Sequence, residues 1–418
     1  MTDRTRAGER SALPDNVWKF YIFSFLGDFG LTAPIWVLYL RDERGFSLTQ
    51  ITLMEVPLFL LMVFAEIPTG AVADRFGRKV SLMLGSALFA VSAFVIGTAT
   101  SYPVIVVANV VWGLAFTFRS GANTALLYDS LKQAGREDDF QSINGRMWAL
   151  HSAAMLSGLL LGAPIAAATS FTFVYVLSGL AAGCGALVAL WMHEPEREPE
   201  PVREGYLRTL ASGVGDAWRS PSLRYISVFA GIMGPSAAVF LLLFLQPWLD
   251  GHGIDTASLG VWQAPITGVQ MLSALAVTWV VSRLGERGTF LALPVLLFGF
   301  GAAIATVDAT WIAVAFLGIA VVRGLYNPAL SAYINRRIES RRRATILSAQ
   351  NVIGSITMAT IWPLAGVATD VWSLQTAFFA YALGTLVLGG AAFLLWDRAE
   401  RDDAARGGEL RVDPVPVA

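Results

Sequence analysis

Long apolar runs cut by short polar links are the first pattern along the chain. A helix needs about 20 apolar residues to cross roughly 30 Å of hydrocarbon. Twelve runs reach that length, at about 18–40, 48–73, 80–98, 104–128, 143–168 and 171–192, then 223–249, 258–281, 290–307, 311–334, 344–368 and 374–396. Backbone groups inside lipid need partners, and with links this short helices supply them rather than barrel strands. The longest link, HEPEREPEPVREG at 193–205, combines proline with charge and predicts an extended linker. After it Leu207, Leu210, Val214 and Trp218 recur at helical spacing, which predicts a short amphipathic helix lying on the membrane surface. The expected fold class is an all-α membrane protein with twelve transmembrane helices in two pseudo-symmetric halves. One half covers 15–192 and the other 222–397, with a linker at 193–221, a polar tail at 1–14 and a disordered tail at 398–418.

Composition agrees with this class. Of 418 residues, 55% are hydrophobic and only 15% charged, and a soluble domain cannot hide that much apolar surface. The net charge of -1 gives no basis for a nucleic-acid partner. Cys184 is the one cysteine, so no internal disulfide can form. The distribution of cations says more than their number. Arg119 and Arg323 lie deep within spans, and Arg41 and Arg44 lie in the first link; the other Lys and Arg residues fall in the even-numbered links, both tails or, for Lys19, Arg146 and Arg224, the span ends that adjoin them. The positive-inside rule therefore places the even links and both termini in the cytoplasm of a multi-pass cell-membrane protein.

The halves read as repeats. RGFSLTQITLMEVP at 44–57 aligns with HGIDTASLGVWQAP at 252–265, and DRFGR at 74–78 with SRLGE at 282–286, both at an offset of 208. RSGANTAL at 119–126 aligns with RGLYNPAL at 323–330, which matches Arg119 with Arg323 and Asn123 with Asn327. Two six-helix halves with a linker between them are built for alternating access, with a site near the midplane.

The link after the second span, GAVADRFGRK at 70–79, resembles the G-x-x-x-D-R-x-G-R-R/K signature of the major facilitator superfamily. Gly70, Asp74, Arg75, Gly77, Arg78 and Lys79 hold the signature positions, and the likeness in topology covers essentially the whole chain. It implies a cluster that locks the two halves on the cytoplasmic side, with Asp129 at the end of the fourth span as partner for Arg78. The simpler reading makes Arg75, Arg78 and Lys79 topology anchors. Span five carries SGLLLGAP at 157–164, which resembles an antiporter element of the superfamily with Ala163 inserted before Pro164. Gly158, Gly162 and Pro164 would in any case permit tight packing and a bend.

Charges inside spans are costly, by about 2.5–3.5 kcal/mol each on insertion scales, and are functional candidates by default. Asp28, Glu55 and Glu66 are the proton-coupling candidates, and Arg119, Arg323, Asn123 and Asn327 the cavity candidates. Asp28 stands about 15 Å into span one, flanked by Gly27 and Gly30. For Glu66 and Arg119, a structural ion pair and a functional role both stand. The chain shows no nucleophile with its base, no phosphate loop and no metal cluster, so neither an enzyme nor a metal site is expected. The expectation is a secondary transporter working as a monomer with no cofactor beyond a proton gradient. It would exchange protons for a small, partly hydrophobic molecule in efflux. The alternatives are proton-linked uptake of a metabolite, or a receptor or scaffold that kept the fold.

Overall fold

The computed structural model describes residues 15–27, 29–196, 220–337 and 340–405. The helices are α1 (Asn16–Gly27), α2 (Trp36–Leu38), α3 (Leu48–Leu53), α4 (Glu55–Phe76), α5 (Arg78–Thr98), α6 (Tyr102–Gln133), α7 (Phe140–Ala168) and α8 (Phe171–Trp191). They continue with α9 (Pro221–Ala238), α10 (Leu245–Gly251), α11 (Leu259–Thr306), α12 (Val314–Arg337), α13 (Ser340–Val371) and α14 (Leu374–Ala405). Ten stretches among the described residues are long and apolar enough to cross a membrane. The tenfold count treats α11 as one stretch and leaves out the broken first pass. Gly285 has φ 69° inside α11, which divides that helix into two passes. With these two allowances the twelve expected passes are all present.

Three differences from the sequence reading have physical causes. The first pass is not one helix: α1 stops at Gly27 and helix resumes at Trp36. Pro34 lacks an N–H, and Gly30 leaves the backbone free, so the turns Leu31 N–H to Phe29 O and Ala33 N–H to Gly30 O replace helical bonds. Residues 398–405, expected to be disordered, continue α14. They are fastened there by Arg401 on Asp397, Arg337 on Glu400, and Ser222 on Asp403. The second pass is interrupted at Met54, between α3 and α4. The amphipathic helix expected at 207–218 lies outside the described residues, as do Asp28 and both chain ends.

The described residues form two compact units. Those up to Ala33 and from Phe64 to Glu196 make the first, and those from Pro34 to Val63 and from Ser220 onward make the second. In the first unit α5 packs on α6 and α8, while α1 packs on α7 and α8. Phe20, Phe23, Leu82, Leu126, Leu127 and Ile143 fill its core. In the second unit α11 packs on α12 and α14, and α9 on α13 and α14. An aromatic cluster of Phe240, Phe244, Phe316, Phe378 and Tyr381 fills that core. Outward-facing side chains such as Phe64, Val107, Leu180, Leu275 and Leu388 are exposed. A bilayer covers such side chains, which water would not. Hydroxyls within the helices bond back to their own backbone, as Thr69 does to Ala65 O at 2.7 Å and Ser130 to Leu126 O at 2.7 Å. That satisfies a donor where no water is at hand.

Candidate functional site

The signature link is a tight corner. Gly77 has φ 114°, a conformation in which a Cβ is strained, and α5 begins at the next residue. The first N–H groups of a helix lack intrahelical partners and carry the positive end of its dipole. Glu194, just beyond α8, supplies the anion, accepting from Arg78 N–H at 2.9 Å and Lys79 N–H at 2.7 Å. The Arg78 guanidinium donates to the Asp129 carboxylate near the end of α6. Arg75 lies over the Phe76 ring, and Asp74 is exposed. A Cβ on Gly70 would meet nothing within 4 Å among the described residues. The sequence reading missed Glu194; the signal was an acid two residues past an apolar run, hidden in a link read as a spacer.

The matching link of the second unit keeps the corner and changes the charges. Gly285 has φ 69°, and the Thr289 hydroxyl donates to its carbonyl at 2.7 Å. Glu286 accepts from both Arg336 and Arg337 at the end of α12. Arg337 also reaches Glu400 at 3.0 Å and lies over the Tyr333 ring. Arg287 pairs with Asp397 at 2.8 Å.

Deeper in the first unit, Arg119 of α6 meets the end of α1. Its Nη1 donates to the Gly27 carbonyl at 2.9 Å, and its guanidinium lies over the Phe23 ring. The last carbonyls of a helix are unpaired and carry its negative end, so a cation is stabilised there. The broken first pass therefore places an arginine beside the interruption. Asn123, one turn along α6, keeps a buried Oδ1 without a hydrogen-bond partner among the described residues. Gly158 and Gly162 of α7 press on the same broken segment: a Cβ on Gly158 would sit 2.5 Å from the Gly30 backbone, and one on Gly162 would strike the Leu31 carbonyl. Pro164 follows inside α7. The glycines thus provide the tight packing that the antiporter-like element was expected to permit. Glu66 is exposed on α4, and Glu55 opens that helix, where its carboxylate faces the positive end of the dipole.

In the second unit Arg323 and Asn327 lie one turn apart on α12, Arg323 half-buried and Asn327 exposed. Tyr326 between them donates to Ala230 O of α9 at 2.8 Å.

The odd-numbered links hold a further set of contacts that the sequence did not reveal, all inside the second unit. Asp370 near the end of α13 accepts from Leu48 N–H at 3.2 Å and Thr49 N–H at 2.8 Å, at the start of α3. Gln246 accepts from Val37 N–H at 3.0 Å, and Gln263 donates to Pro34 O at 3.0 Å. Arg41 bridges Asp42 and Asp250. Burial lowers that guanidinium, but its two carboxylate bonds outweigh the effect and leave it above its ordinary pKa. Trp36 stacks on Trp362, and Phe59 meets the same indole edge-on. These contacts tie the ends of the first two passes to helices of the second half.

The Major Facilitator Superfamily model matches residues 20–361 and again 269–417. The chain is 23% identical over 399 residues to the uncharacterized MFS-type transporter YxaM of Bacillus subtilis (strain 168), covering 88% of this chain and 93% of that one. It is 27% identical over 186 residues to Multidrug resistance protein 1 of the same organism, covering 42% of this chain and 44% of that one. It is 23% identical over 181 residues to Quinolone resistance protein NorA of Staphylococcus aureus (strain MRSA252), covering 43% and 45%. The chain thus spans less than half the length of these two resistance proteins. Its fold is similar to the nucleoside transporter NupG, with a TM-score of 0.76 at 15% identity over 91% of this chain and 99% of that one. It is also similar to a bacterial homolog to the human lysosomal transporter Spinster, in an inward-facing and unoccupied conformation, at 0.70 and 15% over 96% and 98%. With a family match running through both halves and relatives that are transporters, the chain belongs to the major facilitator superfamily and is a secondary membrane transporter, not an enzyme.

Proposed function

We propose that this transporter is a proton-coupled exporter of a small, partly hydrophobic molecule. It sits in the cell membrane as a monomer, with both termini cytoplasmic. What carries the reading is a set of ionisable groups within apolar helices, Glu66, Arg119 and Arg323, in a chain that shares part of its length with two drug-resistance proteins. Groups so costly in hydrocarbon persist where a proton or substrate uses them. Asp28, Glu55 and Glu66 are the acids proposed to take and release the proton. Desolvation favours the neutral carboxyl, and rehydration or an approaching cation favours the carboxylate, so an acid that cycles between such environments can carry a proton across. The corner at Gly77, with Arg78 on Asp129 and Glu194 on the start of α5, is proposed as the cytoplasmic gate.

A strain lacking the transporter, grown against a panel of toxic compounds, tests the direction. The exporter reading expects greater sensitivity to at least one compound, and expects a protonophore to remove the difference from the parent strain. Greater resistance in the deletion strain would mean uptake instead.

A further inference from the structure

Arg323 is an intramembrane cation with no counter-charge beside it among the described residues. It stands about 13 Å along α12 from Val314, close to the middle of the pass. Among the described residues no carboxylate or carbonyl accepts from its guanidinium, and no aromatic ring lies under it. The titratable side chain that acts on it is the Tyr326 phenol, which is already engaged with Ala230 O. Acids of this unit sit at helix ends and links with other commitments: Asp250 with Arg41, Glu286 with Arg336 and Arg337, and Asp370 with the start of α3. A guanidinium cannot escape the cost by losing its proton.

The surroundings fit a ligand better than lipid. Asn327, four residues on and so on the same face, is exposed in the middle of an apolar helix. An amide facing hydrocarbon would lose its hydrogen bonds, so this face is a wet one. Two glycines of α9 bring the neighbouring helices close at this depth. A Cβ on Gly234 would lie 2.9 Å from the Tyr326 ring, and one on Gly231 would lie 3.1 Å from the Thr357 hydroxyl of α13. Tyr326, one turn from Arg323 on α12, is thus held against α9, and α13 approaches α9 one turn away.

We infer that Arg323 binds an anionic group of the transported molecule, with Asn327 as the amide beside it, so that the substrates are partly hydrophobic organic anions. A carboxylate is the group whose two oxygens match the two-pronged donor of a guanidinium. The inference rests on the transport reading for its occupant, and on α12 alone for its geometry.

The test uses the full-length purified protein and three probes of one shape: 4-tert-butylbenzoate, 4-tert-butylbenzamide and 4-tert-butylbenzylammonium. Binding is followed by calorimetry. The wild type should bind the benzoate about tenfold more tightly than the amide, which corresponds to about 1.4 kcal/mol. Arg323→Gln should erase that preference, bringing benzoate affinity down to about that of the amide. Arg323→Lys keeps the charge but not the fork, and should retain only part of the preference. A melting curve checks that each variant is folded. If the Gln variant does not fold, the Lys variant still decides, since an undiminished preference there contradicts two-pronged binding. Equal binding of the three probes by the wild type, no benzoate binding, preference for the ammonium, or a preference that survives Arg323→Gln would each overturn the inference. Proton-driven export of the ammonium compound alone would leave the export reading standing and remove this one. Arg323-dependent benzoate binding without gradient-driven flux would do the opposite.

Discussion

Gly77 and Gly285 turn the chain in the same way, yet the charges around them are reversed. In the register 208 residues apart Arg78 matches Glu286, and each is paired with the end of the helix that carries the deep arginine, at Asp129 in the first copy and at Arg336 and Arg337 in the second. The first copy is a cation on an acid, and the second an acid on cations. The same register carries Gly45 at φ 72° onto Gly253 at φ 75°. It also carries Gly158, pressed on the Gly30 backbone, onto Gly366, where a Cβ would lie 2.6 Å from the Leu48 carbonyl. Duplicated halves have thus kept the positions that sterics dictate and drifted in charge, as long as each pair stayed neutral. The deep arginines drifted further: Arg119 holds the end of a broken helix, while Arg323 is given no carboxylate or carbonyl acceptor among the described residues.

The comparison breaks most sharply if a charge is placed where the register alone would allow it. Glu286→Arg copies the first-half residue into the second half and sets three guanidinium groups together. Replacing a partly buried pair by repulsion should cost roughly 3 kcal/mol, read as a large fall in melting temperature and folded yield. Adding Arg336→Glu and Arg337→Asp should recover most of it; no recovery would mean that the pairs are not interchangeable.

Next come the matched contact glycines. Gly158→Ala and Gly366→Ala each force a methyl into backbone, and overpacking of this kind costs about 2 kcal/mol. Both should lower the melting temperature by similar amounts. A silent change at one of them would show that the two contacts are not equivalent.

The corner glycines should differ in a defined order. Alanine at either position is strained by about 1–3 kcal/mol. A Cβ on Gly77 also meets the Glu194 carboxylate at 3.0 Å, whereas one on Gly285 meets nothing within 4 Å among the described residues. Gly77→Ala should therefore destabilise more than Gly285→Ala, and the reverse order in thermal unfolding would contradict the cap. The smallest effect belongs to Glu194→Gln. It keeps an acceptor but removes the charge at the helix start, which is worth about 0.3–1 kcal/mol.

Much of the fold was legible because hydropathy records burial in lipid directly. The twelve passes and the 208-residue register came from that record, and the charges at 78 and 129 were sparse enough to suggest their contact. What stayed hidden depends on partners distant in sequence. Glu194 caps a helix 116 residues earlier in the chain. Asp370 reaches Leu48 across 322 residues. The break after Gly27 was hidden by the greasy neighbours Phe29, Leu31 and Ile35, although Gly30 and Pro34 mark it in the sequence. It becomes understandable only once Arg119 takes the Gly27 carbonyl and the α7 glycines press on Gly30 and Leu31.

Flux in proteoliposomes under imposed pH gradients tests the central claim most directly, with a compound identified by the growth panel and wild type beside Asp28→Asn. The account predicts that wild type moves the compound against its own gradient toward the acidic side, reverses when the gradient is reversed, and stops with a protonophore. Asp28→Asn, fixed in a neutral form, should lose gradient-driven movement and keep binding without pH dependence. Wild-type flux indifferent to the gradient would contradict proton coupling, and full gradient-driven flux by Asp28→Asn would move the coupling to Glu55 or Glu66.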